Sequence, residues 1–518
     1  MKLNYKRTIL VGFAFFLISL FWQAYDSTIP LLLTNKFGMS QAWSGVIMAV
    51  DNILAVFLLP LFGTLSDKCN TRFGKRTPFI TIGTVAAAIA FVALSFVDAA
   101  QLNNISKVSA IDDPAALEVL YEAQEDSRLI TPEGESFVLS DVFTKEEFSQ
   151  ITSKIEDESG KSVTNPDYTN YVAPARQAYA WQTTMNNPST LIWFVLLLFL
   201  VLLSMATFRS PAVALMPDVT MKPLRSKGNA VINLMGTAGG ILVLLLGMVF
   251  STSSVKNSLM RYTPFYCVIA GIMLLCLVIF LLTVKEVKWS KQMREDSVKY
   301  GVEEKEEKKE SGEKRGLTKE ERRSLIFILL SIVLWFFGYN AVTSKYAVYA
   351  ANVLQKDYNT TMLVAQGAAI ISYLPAGNIA SKFGRKRTIL GGVILLSASF
   401  ALASFMRSGS PTMVMNVLFA MAGIGWATIN VNSFPMVVEM CSGADIGKYT
   451  GFYYTASMAA QIATPMVSGF LMDHMGMTIL FPYAAIFAAL AFVTMSMVKH
   501  GDAKVEKKSG LEAFDTDD

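Results

Sequence analysis

Two stretches decide how this chain folds: GTLSDKCNTRFGKRT at residues 63–77 and GNIASKFGRKRT at residues 377–388. Each follows a long apolar run, crosses a glycine-containing basic turn and ends on a threonine that opens the next apolar run. A second pair of marks lies downstream, where Pro217-Asp218 ends one apolar run and Pro435 with Glu439 ends another. A pattern that returns far along one chain is an internal duplication. Here the copies stand six apolar runs apart, which describes two six-helix halves in parallel orientation.

Working outward, the 518 residues are 53% hydrophobic and 17% charged, whereas soluble domains are about a quarter charged. The apolar residues come in blocks of about 20, long enough to cross a bilayer. Twelve such blocks are read near 8–33, 42–65, 78–98, 189–216, 226–250 and 262–284, then 323–349, 361–380, 386–406, 411–438, 449–472 and 476–498. Each must be helical, because lipid offers exposed backbone no partner. The first block is too long for a signal peptide, holds Trp22, Gln23, Tyr25 and Asp26, and lacks a small-residue cleavage site. Disordered, collagen-like and disulfide-scaffold classes are excluded, and a net charge of +4 is too small to indicate nucleic acid. The expected fold class is an all-α membrane protein with twelve transmembrane helices in two six-helix bundles.

Basic residues in short loops orient such a chain. Lys2, Lys6 and Arg7, then Lys68, Arg72, Lys75 and Arg76, then Lys222, Arg225 and Lys227, then Lys382, Arg385, Lys386 and Arg387 all fall on one side if the count is twelve. That predicts both termini in the cytosol. The organisation expected is 1–98 as helices one to three, 99–188 as an acidic extracellular insertion, and 189–284 as helices four to six. A charged cytosolic linker at 285–322, helices seven to twelve at 323–498 and a disordered cytosolic tail at 499–518 complete it. The insertion carries Phe137, Val138, Leu139, Val142, Phe143, Phe148 and Ile151, enough to fold as a small cap. Cys69 and Cys441 fall at cytosolic helix ends and Cys267 and Cys276 within the sixth helix, so no outer disulfide, metal site or cofactor is expected. With only His474 and His500, a histidine-based site is not expected either.

In the repeated loop the glycines permit a tight turn. Asp67 is placed to face a helix N-terminus, and Arg72, Arg76, Arg385 and Arg387 to pair with Asp218 and Glu439. Such pairs would hold the cytosolic face shut and break when it opens. These residues resemble the signature loop of the major facilitator superfamily. Residues 60–80, PLFGTLSDKCNTRFGKRTPFI, look most like the helix 2–3 segment of the sucrose/proton symporters, within the glycoside–pentoside–hexuronide:cation symporters. Residues 209–218, RSPAVALMPD, resemble that family's helix 4 ending. The resemblance implies a cation-coupled carrier of a sugar or glycoside. Two departures stand out: Leu202 occupies the place of the helix 4 acid considered the proton carrier in plant members, and Ser381 replaces Asp67 in the second copy.

Ionisable residues deep in a membrane are costly and mark function. Asp51, mid-way along the second helix, and Asp26, in the outer part of the first, differ in depth by about one turn at 1.5 Å per residue. Burial disfavours a charged carboxylate, which suits a group that binds and releases protons near neutrality. Both are the expected cation-coupling pair, the plain alternative being hydrogen bonds to Asn52 or Gln23. Arg209 would pair with Asp51 or act at the gate with Asp218. Lys345 is expected to reach the outer surface by extending its side chain. Sugar recognition needs aromatic faces and amides, which points to Gln23, Tyr25, Asn233, Tyr339, Asn340, Trp426, Asn430, Tyr454 and Gln461. Packing between helices is the rival explanation for these polar stripes.

The reading is a monomeric carrier, not an enzyme, that takes up a disaccharide or glycoside such as sucrose or maltose with a proton, sodium being the alternative ion. It would sit in the plasma membrane, with the lipid bilayer as its only large partner and no nucleic acid. Rival readings are a proton-coupled exporter of small amphiphiles in the same fold, and a non-transporting membrane sensor.

Overall fold

The computed structural model describes residues 3–156, 160, 162–221, 224–252, 259–300, 318–438, 440 and 446–500. Twelve long helices dominate them. The first six are α1 (Tyr5–Leu31), α2 (Gln41–Lys68), α3 (Thr77–Asn104), α4 (Ser189–Val219), α5 (Arg225–Val249) and α6 (Thr263–Thr283). The second six are α7 (Lys319–Tyr349), α8 (Tyr358–Phe383), α9 (Arg385–Ala403), α10 (Thr412–Val438), α11 (Ile446–Met475) and α12 (Leu480–Ser496). Among the described residues, 10 helices are long and apolar enough to cross a membrane; α8 and α11 fall outside that set.

The helices gather round two separate apolar cores. One is built from α1–α6 around Phe21, Phe91, Met205, Phe208 and Tyr266. The other is built from α7–α12 around Ile332, Trp335, Tyr346, Phe400 and Phe481. Their wiring is the same: α1–α5, α1–α6, α2–α4, α3–α4 and α3–α6 pack together in the first half, and α7–α11, α7–α12, α8–α10, α9–α10 and α9–α12 in the second. Across the seam α2 meets α11, α5 meets α8 and α1 meets α7. The duplication read in the loops is therefore a duplication of the whole packing scheme.

The loop 69–76 and its counterpart at 384 mark one face of the molecule, and the insertion marks the other. Gly74 at φ 119° and Gly384 at φ 88° occupy equivalent turns, in a backbone region where only glycine is comfortable. On the insertion face α3 continues to Asn104, past the end of its apolar run at 98. Asp98 and Gln101 are buried there, Asp98 against Lys36 and Gln101 with its Nε2 donating to the Lys36 carbonyl at 2.9 Å. The insertion itself is a small domain of short helices and two hairpins (128–130 with 136–138, 154–156 with 162–164). Its core holds Leu117, Leu120, Leu139, Phe148 and Tyr168. Of the apolar residues expected inside it, Val142 is exposed.

This domain touches both halves. Gln177 Nε2 donates to the Met39 carbonyl at 3.0 Å and Thr184 Oγ1 to the Phe37 carbonyl at 3.0 Å, both in the first half. Met477 N donates to the Pro132 carbonyl at 2.7 Å, and Arg407 pairs with Glu133 at 3.3 Å, both links to the second half. Beneath it the seam is closed. Asp473 of α11 accepts from the Gln41 and Ala42 backbone N–H groups at 2.7 Å each, capping the start of α2. Lys345 of α7 donates to the Gln41 carbonyl at 2.6 Å. Lys345 is fully buried rather than reaching the surface, because α2 and α11 close over it and supply that carbonyl and the Asp473 charge.

Candidate functional site

A cavity of about 520 Å3 lies between the halves, lined from both. On the first half Gln23 and Asp26 come from α1, Arg209 from α4 and Asn233 from α5; on the second Tyr339 comes from α7, Gln366 from α8 and Trp426 from α10. Three features define its chemistry. Tyr339 and Trp426 stack with ring centroids 3.6 Å apart and planes at 2°, and Phe336 meets Trp426 edge-on at 5.2 Å. This makes a rigid aromatic platform on the second half. Opposite it Gln366 Nε2 donates to Gln23 Oε1 at 2.7 Å, and Gln23 Nε2 donates to Ser27 Oγ at 3.0 Å, an amide chain that crosses the seam. Asp26 is exposed to the cavity, deep inside the protein. The charges that act on it are Asp51 and Arg209, whose guanidinium stands 5.6 Å from the Trp22 ring centroid.

Four of the nine residues named for sugar contact line this cavity: Gln23, Asn233, Tyr339 and Trp426. The other five do not. Tyr25 is fully buried between Phe21 and Trp22. Asn340, one residue on from Tyr339, has its Nδ2 buried off the lining. Asn430 is 8% exposed inside the second half, Tyr454 packs on Phe434 and Tyr453, and Gln461 lies along α11 away from the lining. Asp51 is half-buried on α2, accepts from Asn52 Nδ2 at 2.9 Å and is not among the residues that line the cavity. Leu202 is buried in the first-half core. Gln366 and Tyr373, on α8, line the cavity and were not picked out from the sequence. A lone glutamine in an apolar run was the signal available for the first.

Of the expected gate pairs, Arg76 with Asp218 forms, and it lies within one half. Arg76 Nε donates to Asp218 Oδ2 at 2.8 Å, and its other guanidinium nitrogens reach Asp67 and the Ser66 hydroxyl. All of these belong to the first half, so the network braces α2, α3 and α4 against each other and does not tie the two halves. Asp67 is thereby engaged with Arg76, and the N-terminus of α3 is capped from elsewhere. Glu286, at the start of a linker helix (Glu286–Lys299), accepts from Lys75 N at 2.6 Å, Arg76 N at 3.0 Å, Thr77 N at 2.9 Å and Thr77 Oγ1 at 2.7 Å. A Cβ on Gly74 would stand 2.2 Å from that carboxyl carbon. Arg72 is exposed over Phe73, Arg385 is buried at the first turn of α9 and Arg387 is exposed. Glu439 lies outside the described residues, as do Cys441, residues 301–317 of the linker and 501–518 of the tail. Arg209 lines the central cavity.

Glu286→Ala strands the buried N–H groups of Arg76 and Thr77, each loss costing about 1–3 kcal/mol, and the half-buried one of Lys75. The expected result is a clearly lower melting midpoint of the detergent-purified protein, with Glu286→Gln intermediate. An alanine variant that melts with the wild type would mean the cap is not stabilising.

A profile of the MFS_1 like family matches residues 28–483, and the chain belongs to that family. The MFS-type transporter ppzB of Metarhizium rileyi is 24% identical over 146 residues, 28% of this chain and 28% of that protein. Sucrose transport protein SUC4 of Arabidopsis thaliana is 36% identical over 60 residues, 12% of each. The chain thus matches less than a third of the length of either relative. Among solved structures, the inward open conformation of the xylose transporter XylE from E. coli aligns with a TM-score of 0.55 at 16% identity over 99% of both chains. A bacterial homolog of the human lysosomal transporter Spinster, inward-facing and occupied, gives 0.58 at 10% identity, over 96% of this chain and 97% of that one. At these identities the likeness is one of fold.

Proposed function

We propose that the protein is a secondary active transporter of the plasma membrane that takes up a neutral sugar of disaccharide or glycoside size together with protons. One observation carries this reading: the central cavity joins a stacked Tyr339–Trp426 platform to a Gln23–Gln366 amide chain and to Asp26 with Arg209. An aromatic face suits the C–H side of a sugar ring, and amides suit its hydroxyls. Asp26, exposed to the cavity and flanked by Asp51, supplies a carboxylate that can gain and lose a proton beside the substrate, and Arg209 responds to its charge.

In this reading α8 and α11 also span the membrane, the 69–76 loop and both termini face the cytosol, and the insertion lies outside. The closed seam under the insertion then describes an inward-facing state, and transport rocks the halves about the cavity. The amide chain counts against an exporter of amphiphiles, whose cavity has no use for it.

The test is uptake of sucrose, maltose, lactose, raffinose and glucose into proteoliposomes with an inside-alkaline gradient, with and without a protonophore. Accumulation of one sugar, abolished by the protonophore, is expected. Asp26→Asn and Asp51→Asn should each cut gradient-driven accumulation by at least tenfold. If both variants concentrate sugar like the wild type, the coupling assignment is wrong. Sodium-driven uptake indifferent to the protonophore would replace the proton, and no uptake of any sugar by folded protein would sink the sugar reading.

A further inference from the structure

A second chamber of about 550 Å3 lies on the insertion face, separate from the central cavity. Three bodies wall it. Gln41 and Trp43 come from the start of α2, Asn352, Gln355 and Asp473 from the second half, and Arg176 with Trp181 from the insertion. It stands directly over the closed seam, since the backbone of Gln41 is the element gripped by Asp473 and Lys345.

Each of the three bodies places in this wall a residue with a buried polar group that finds no partner among the described residues. Gln41 is 2% exposed, and neither its Nε2 nor its Oε1 is hydrogen-bonded. Gln355 Oε1 is buried and unbonded. Arg176 is 5% exposed; its terminal nitrogens are used by the Tyr168 hydroxyl at 2.6 Å and the Ala110 carbonyl at 3.5 Å, while its Nε has no acceptor. Buried polar groups left unbonded are costly, so several of them gathered in the wall of one cavity call for an occupant. The set holds two donors and two acceptors. A simple anion would answer only the donors and a simple cation only the acceptors. A hydroxyl donates and accepts at one atom, so a molecule with several hydroxyls on a compact frame satisfies both kinds. Trp181 and Trp43 add aromatic surface to the wall, and the volume falls in the range of about 300–1,000 Å3 usual for small-ligand sites.

We propose that this chamber is a second sugar site, an outer station that holds a neutral polyhydroxylated molecule while the seam below it is closed. It rests on the sugar-transport reading and adds a binding position to it. Because Gln41 contributes its side chain to the ligand and its backbone to the seam, occupancy and closure are linked through one residue.

The experiment is equilibrium binding of radiolabelled sucrose and, separately, maltose to the detergent-purified full chain. Wild type is expected to bind two sugars per chain. Gln41→Leu, which keeps the volume and the backbone but removes both amide atoms, should bind one. Gln355→Leu, on the opposite half and away from the α2 cap, should do the same and guards against a folding defect in the first variant. Trp426→Ala should remove the other site and leave the outer one. Unchanged stoichiometry in both leucine variants overturns the outer station. So does a single wild-type site abolished by Trp426→Ala, a result that leaves the transport reading standing. No binding of either sugar by the wild type overturns both.

Discussion

Asp98→Asn is expected to destabilise the first half strongly, by about 3–5 kcal/mol. Lys36 Nζ donates to Asp98 Oδ1 at 2.6 Å, to Asp98 Oδ2 at 2.7 Å and to the Met260 carbonyl at 2.6 Å, and both side chains are completely buried. The Tyr262 ring closes the site from one side, its centroid 4.9 Å from the ammonium. Asparagine keeps the shape but removes the countercharge, which leaves an ammonium in a medium that cannot solvate it. The loss is large because one partner remains, not because the pair is strong. Removing both charges tests that distinction: the double variant Lys36→Met with Asp98→Leu should recover more than half of the melting midpoint lost in Asp98→Asn. Equal midpoints for Asp98→Asn and wild type would show that the pair is solvated in a way the geometry does not suggest. The pair also has a mechanical place, since it ties the turn after α1 to α3 and to the α5–α6 connection under the insertion.

Gly45→Val is expected to abolish net transport while leaving the protein folded. A Cβ at Gly45 would stand 2.0 Å from the Pro465 carbonyl oxygen, and one at Gly469 would stand 2.2 Å from the Gln41 oxygen. Both obstacles are backbone atoms, which cannot rotate away as a side chain would. The halves must therefore separate along α2 and α11, and the closed seam becomes the strained state. A conformation parted on the insertion face carries no such clash, so the equilibrium shifts toward it. In a background without Cys69, Cys267, Cys276 and Cys441, a cysteine at Gln23 should react faster with an impermeant maleimide from the insertion side in Gly45→Val than in its parent. Wild-type uptake by Gly45→Val would mean the seam tolerates a gap there and that its closure is not obligatory.

Apolar runs of spanning length and a loop that recurs six runs later were enough to read a helical membrane protein built from two like halves. Both signals are local: a run must form a helix where no water can bond its backbone, and a repeated loop reports a repeated neighbourhood. The site was legible in part for the same reason. Gln23, Asn233, Tyr339 and Trp426 stood out as polar or aromatic residues at helical spacing, and all four line the central cavity. The same spacing also nominated Tyr25, Asn430 and Gln461, which face other parts of the protein. Periodicity says which residues share a face and never which neighbour covers it.

What only the tertiary structure decided are the contacts that cross long stretches of chain. Glu286 caps α3 from a linker helix some two hundred residues away, a role the sequence had suggested for Asp67. Lys345 is sealed inside by the start of α2, Gln366 reaches Gln23 across the seam, and Arg76 takes both Asp67 and Asp218. Each depends on how helices from the two halves and the insertion meet in space. The one-dimensional pattern specifies the elements and their duplication, because those follow from solvent and backbone alone. Which buried charge meets which partner follows from packing.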